Sequence, residues 1–216
     1  MRPETREVEI AVGEVRLPGD LTLPPEPAGA VIFAHGSGSS RLSPRNRSVA
    51  GTNVDAGLAT LLFDLLTAGE AADRANVFDI ELLAERLLAA TRRIRHEPEV
   101  GVLPIGYFGA STGAAAALWA AAEPDARVRA VVSRGGRPDL AGDRLEQVTA
   151  PTLLIVGGED HTVMELNREA QRQIRCENDL VVIPGAGHLF EEPGALDEVA
   201  HWATGWFVAH LKKAAA

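Results

Sequence analysis

A serine framed by two glycines closes a short apolar run: Ile105-Gly106-Tyr107-Phe108 leads into Gly109-Ala110-Ser111-Thr112-Gly113, and the alanine-rich stretch Ala114 to Ala122 follows. The pattern reads as a strand, a G-x-S-x-G turn and a helix, and such a turn lifts the Ser111 hydroxyl clear of the backbone as a nucleophile requires. Gly109 and Gly113 suit a place where strand and helix pass too close for side chains. Helix capping is the plainer role for a serine here; the complete strand and helix around it favour the nucleophile.

A serine hydroxyl is a poor nucleophile at neutral pH and needs a base within hydrogen-bond reach and a carboxylate to orient that base. The run Leu180 to Ile183 is followed by Pro184-Gly185-Ala186-Gly187-His188, a loop of small residues that lets an imidazole reach across a sheet edge. The run Thr152 to Val156 ends in Gly157-Gly158-Glu159-Asp160. Ser111, Asp160 and His188 are therefore the candidate catalytic residues. Asp160 as the cap of a helix starting near Val163, and His188 as a packed loop histidine, are the bland alternatives. Glu159, His161 and above all Asp139 compete for the catalytic places, and His35 is expected to brace its own loop.

An acyl-transfer site also needs donors for the oxyanion, one of them the backbone N–H after the nucleophile. Thr112 supplies that amide. The small residues of His35-Gly36-Ser37-Gly38-Ser39-Ser40 would let main chain approach the substrate, with Ser37 as the second donor. Arginines form the last candidate group. No Asp or Glu occurs between Glu26 and Asp55, while Arg41, Arg45 and Arg47 do, and Arg134 and Arg137 flank a glycine pair. Arg41, Arg134 and Arg137 are the expected substrate-binding residues, with Arg45 as a further candidate for gripping a carboxylate.

These residues need a scaffold that brings strand ends together. Ala30 to Ala34, Ala59 to Leu65, Ile105 to Phe108, Ala130 to Ser133, Thr152 to Val156 and Leu180 to Ile183 are apolar runs of strand length, as buried parallel strands are. Helical patterns lie between them at Ser48 to Gly57, Asp79 to His96, from Ala114, Val163 to Cys176 and Leu196 to Leu211. Val8 to Val12 and Val15 to Leu23, joined near Gly13, read as an antiparallel edge hairpin. The alternation predicts an α/β fold, a mostly parallel, doubly wound sheet with helices on both faces. Between the strands there is room for small excursions and not for a large cap domain. Neither an internal repeat nor a low-complexity linker interrupts the chain.

The 216 residues, 46% of them hydrophobic, suit one α/β domain over 1–216, with 211–216 a frayed helix end or a cloning remnant. A net charge of −9 argues against nucleic acid as a partner. No apolar run is long enough for a membrane helix, and the first residues lack a signal-peptide core, so no membrane partner and a cytoplasmic location are expected. Cys176, the single cysteine, sits in a polar stretch and reads as an incidental or buried thiol.

Taken with their order along the chain, Ser111, Asp160 and His188 match the serine, acid, histidine sequence of an α/β-hydrolase. The chain resembles the dienelactone hydrolase branch of that superfamily from Ala30 to about Phe207. The segments HGSGSSRLSPRN (35–46), LFDLLT (62–67), GASTG (109–113), SRGGRPDL (133–140) and HLFEEP (188–193) are similar to a serine-nucleophile subgroup, some of whose members are fused to a phosphoribosyltransferase. The resemblance implies a hydrolase acting on an ester or lactone, with Ser111, Asp160 and His188 at the triad positions and neither metal nor organic cofactor. The lack of room for a cap domain suits substrates of small to medium size, and the arginines suit carboxylate-bearing ones. The enzymes that named the family carry a cysteine nucleophile, which here is serine. Acyl transfer or perhydrolysis on the same triad, and ligand binding on a hydrolase scaffold, are the other functions open to this sequence.

Overall fold

The computed structural model describes residues 2–212. Among these residues eight strands form one sheet: β1 (Glu4–Val12), β2 (Val15–Leu23), β3 (Ala30–Ala34), β4 (Ala59–Phe63), β5 (Ile105–Ala110), β6 (Val128–Arg134), β7 (Thr152–Gly157) and β8 (Asn178–Ile183). They stand in the order β1-β2-β4-β3-β5-β6-β7-β8. The first two pairings, β1 with β2 and β2 with β4, are antiparallel and every later one is parallel. Every residue of β3, β4, β5 and β7 is buried, which is why their sequences are apolar without alternation. The edge strands β1 and β8 are only partly buried.

Among the described residues seven α-helices accompany the sheet: α1 (Pro44–Asp55), α2 (Ala68–Ala71), α3 (Arg74–Val77), α4 (Ile80–Arg95), α5 (Thr112–Ala121), α6 (His161–Gln173) and α7 (Ala195–Leu211). Alternate residues of the same strand feed two cores. Ile32 and Tyr107 pack with α4 and α5 on one face, and Val31, Phe33 and Phe108 with α1 and α7 on the other. Helix α5 is buried on almost every side, so its alanines show no amphipathic pattern; their small size lets it lie close on the sheet.

The differences from the sequence reading are at boundaries and connections. Helix α1 begins at Pro44, four residues before the expected Ser48, because Ser43 caps it by accepting from the Asn46 amide and Pro44 fits its first turn. Helix α6 starts at His161, two residues before Val163. The segment between β4 and α4 folds into two single turns, α2 and α3, where no element was expected; Thr67 and Glu70 close a capping box on α2. Between β6 and β7 runs a 3-10 segment, Pro138–Gln147, kinked at Gly142. The end of α7 is at Leu211, and the tail reading for Lys213 to Ala216 lies outside the described residues. Among the described residues no helix is long and apolar enough to cross a membrane.

Candidate active site

The turn after β5 is tight. Ser111 sits at φ 52°, ψ −120°, a region that costs a non-glycine residue on the order of 1–3 kcal/mol. Three hydrogen bonds hold it there: its amide donates to the Arg134 carbonyl at 3.2 Å, and its carbonyl accepts from the amides of Ala114 (3.1 Å) and Arg137 (3.2 Å). The two framing glycines are there for space. A Cβ on Gly109 would stand 2.4 Å from Ala114 Cα, and one on Gly113 would stand 2.2 Å from the Ala34 carbonyl oxygen.

His188 lies in the loop after β8, and Asp160 in the turn after β7, both at the carboxyl end of the sheet where β5 delivers Ser111. His188 Nδ1 is 2.6 Å from Asp160 Oδ2. A carboxylate can only accept, so Nδ1 carries the proton and Nε2 of the neutral ring keeps its lone pair. Asp160 precedes α6 yet makes no side-chain cap bond to it; its carboxylate is turned to His188 instead. Gly157 permits this approach, because a Cβ there would lie 2.3 Å from the Ala186 carbonyl oxygen. Glu192 accepts from the Gly187 amide at 3.0 Å and closes the histidine loop.

Ser111, His188, Ser37 and Arg134 line one cleft of about 170 Å³. Ser111 and His188 form no hydrogen bond in this state of the molecule, and such bonds often tighten only when substrate is bound. Thr112 opens α5, and Ser37 lies in the loop after β3, which a turn from the Ser39 amide to the Gly36 carbonyl (3.2 Å) keeps folded over the elbow. Neither the Thr112 nor the Ser37 amide donates to another group among the described residues.

The competing residues are held elsewhere. Asp139 forms a bidentate pair with Arg137 at 2.9 and 2.7 Å. His35 accepts from the Leu65 amide at Nε2 (3.0 Å), so Nδ1 carries its proton and donates to the Gly36 carbonyl (2.9 Å). Burial pushes the His35 pKa down, in keeping with a neutral ring that braces the loop. The Cys176 thiol donates to the Ala150 carbonyl at 3.1 Å, and burial raises its pKa.

The arginines divide. Arg41 is tied to Asp64 through its amide and its guanidinium, both at 2.7 Å, and it lines a groove of β1 and β2 apart from the cleft. Arg137 is occupied by Asp139. Neither lines the cleft that holds Ser111, in contrast to the expectation for both. Arg134 and Arg45 do line it. Arg134 is 6% exposed, donates to Asn46 Oδ1 at 3.1 Å, stacks over Phe190 at 5.8 Å, and has no acidic partner among the described residues. Its Nε is buried without an acceptor, and burial, with Arg45 nearby, lowers its pKa to about 10. Asn46 and Phe190 were not readable as site residues, since they meet Arg134 only through folding.

Ser111 follows the fifth strand, Asp160 the seventh and His188 the eighth, and the family model for dienelactone hydrolases matches residues 24–209. The chain belongs to the dienelactone hydrolase family. A dienelactone hydrolase of Anabaena variabilis is 55% identical and superposes with a TM-score of 0.94, covering 98% of this chain and 100% of that one. Est1E of Butyrivibrio proteoclasticus, 18% identical, shares the fold at a TM-score of 0.81, covering 94% of this chain and 98% of its own. Proteins of two Mycobacterium tuberculosis strains named "Putative phosphoribosyl transferase" are 62% identical over 205 residues, 95% of this chain and 46% of theirs. The chain thus spans just under half the length of those relatives. Its fold is that of a dienelactone hydrolase-type α/β-hydrolase.

Proposed function

We propose that the protein is a serine hydrolase of carboxylic esters or lactones that works through an acyl-enzyme on Ser111. The observation that carries this reading is the 2.6 Å bond from Asp160 to Nδ1 of His188, the imidazole that lines one cleft with Ser111. His188 Nε2 takes the Ser111 proton as the hydroxyl oxygen attacks the carbonyl carbon. The tetrahedral oxyanion is held by the Ser37 and Thr112 amides. His188 then returns the proton to the leaving oxygen, the alcohol departs, and the acyl group remains on Ser111. Water, deprotonated by the same imidazole, cleaves that ester and releases the acid, while Asp160 stabilises the transient imidazolium.

Arg134 supports an anionic substrate. A buried guanidinium without a carboxylate partner is a costly arrangement that a substrate carboxylate in the cleft would offset. Arg45, paired at 3.1 Å with the exposed Glu191, can add a second donor. Phosphoribosyl transfer, which the M. tuberculosis names state for proteins more than twice as long, is on this reading a property of their remaining length.

The test is turnover of para-nitrophenyl esters by the parent and by Ser111→Ala. Turnover in the parent that disappears in the variant supports the proposal; a folded variant that keeps full activity ends it. Product analysis with added alcohol or peroxide separates hydrolysis from acyl transfer and perhydrolysis.

A further inference from the structure

A second cavity, of about 300 Å³, borders the same Gly36–Ser39 loop. It shares Gly36, Ser37 and Ser39 with the Ser111 cleft and also reaches Thr112, so both oxyanion residues border it. Its wall is largely apolar, formed by Leu65, Leu66, Ala68, Ala71, Val77 and Leu83. His188, Arg45 and Arg134 do not line it, and its one acid, Asp64, is held by Arg41.

The proton path gives these two spaces different tasks. The leaving oxygen must receive a proton from His188, so the departing group lies on the side of the carbonyl where His188 stands. The acyl chain must then run the other way, past Ser37 and Thr112. We infer that the cavity under α2, α3 and α4 is the acyl site, and that the preferred substrate joins an apolar, short to medium acyl group to an alcohol bearing an anionic group that faces Arg134. This rests on the serine-hydrolase reading above and adds the direction in which the ester binds.

The wall is built to limit chain length. Glu70 accepts from the Thr67 amide (2.8 Å) and from the buried Arg86 guanidinium (2.7 Å), and its carbonyl accepts from Asn76 Nδ2 (3.1 Å). Those bonds fasten α2 and α3 to α4 and hold Val77 over the cavity. Ligand pockets commonly span ~300–1,000 Å³, so this one is at the small end.

The test keeps the leaving group constant and varies only the acyl chain, with para-nitrophenyl esters from acetate to decanoate on the parent, Val77→Trp and Val77→Ala. In the parent, kcat/KM is expected to rise about fourfold per methylene, the ~0.8 kcal/mol of a buried CH2, to an optimum between butyrate and octanoate, and then to fall. Val77→Trp lowers the ratio of hexanoate to acetate kcat/KM at least tenfold, and Val77→Ala moves the optimum to longer chains. A flat profile, or a Val77→Trp effect that appears in acetate esters of lengthening alcohols and not in the acyl series, overturns the inference. Alkylboronic acids supply a readout without turnover: their affinity should rise with alkyl length in the parent and not in Val77→Trp, and length-independent affinity overturns the acyl site. Failure of the serine reading is seen separately, as boronate binding and turnover that survive Ser111→Ala.

Discussion

Asp160 leaves the first turn of its own helix uncapped and gives its carboxylate to His188, 28 residues away in sequence and 2.6 Å away in space. An N-terminal aspartate that caps its helix is worth about 1 kcal/mol, which on the proposed reading is given up to orient the imidazole. Asp160→Asn should lower kcat by about 10³–10⁴-fold, because an amide can hold the ring in the wrong tautomer. Thermal stability should change by only a few degrees. The comparison of kcat and Tm decides: a loss of activity matched by unfolding at assay temperature would return Asp160 to a structural role.

Arg134 should behave as a binding residue that the fold carries at a cost. Its pKa, lowered to about 10 by burial, means the folded state disfavours the charged form; that penalty is absent above the unfolded pKa and complete once pH falls below about 10. At neutral pH, Arg134→Met should therefore raise stability by roughly 1–3 kcal/mol. The same change should weaken KM for esters with a carboxylate on the alcohol by ten- to hundredfold, the ~1.5–3 kcal/mol of a charged hydrogen bond, and spare neutral esters. Urea unfolding and paired kinetics on the two ester types check both halves. Lower stability with equal loss on both substrates would make Arg134 a packing residue.

His35 predicts the acid side of the stability profile. Burial holds its folded pKa below the unfolded value of about 6.5. Above that value neither state binds the proton; below it the unfolded chain takes one first, so stability falls with pH until the folded pKa is passed. In His35→Gln this component disappears. Urea midpoints at pH 7.5, 6.0 and 5.0 should drop more steeply for the parent, and parallel profiles would show that His35 does not titrate on unfolding.

Gly113 is fixed by the approach of the β3 end to the elbow. In Gly113→Ala the new methyl would lie 2.2 Å from the Ala34 oxygen and 2.4 Å from that of His35. Backbone must move, and the expected loss is at least ~1–3 kcal/mol, with activity falling further because the Ser111 turn and the Ser37 loop are displaced together. Calorimetry and kcat on soluble protein would register it. An unchanged Tm would contradict the packing described.

Whatever depends on one strand and its following loop was legible in the chain. Ser111, Asp160 and His188 each follow an apolar run, and parallel strands deliver such loops to one edge. What depends on partners distant in sequence was not. The acid-free interval from Glu26 to Asp55 suggested free arginines, but Asp20 and Asp64 flank it and fold back onto Arg41 and Arg47. Arg137 finds its acid two residues on, a pair that sequence shows only once the turn is known. The part of the second cavity's wall formed by Ala68, Ala71 and Val77 carried no motif, because α2 and α3 are single turns and α2 is held by the tertiary bond from Arg86 to Glu70.

Covalent chemistry at Ser111 can be followed by rapid-quench mass spectrometry of the protein mixed with para-nitrophenyl butyrate. A burst near one equivalent of nitrophenol is expected, with a butyryl adduct mapped to the peptide containing Ser111 and loss of both in Ser111→Ala. Nitrophenol release by Ser111→Ala at the parent's rate, or an adduct on another residue, would contradict it.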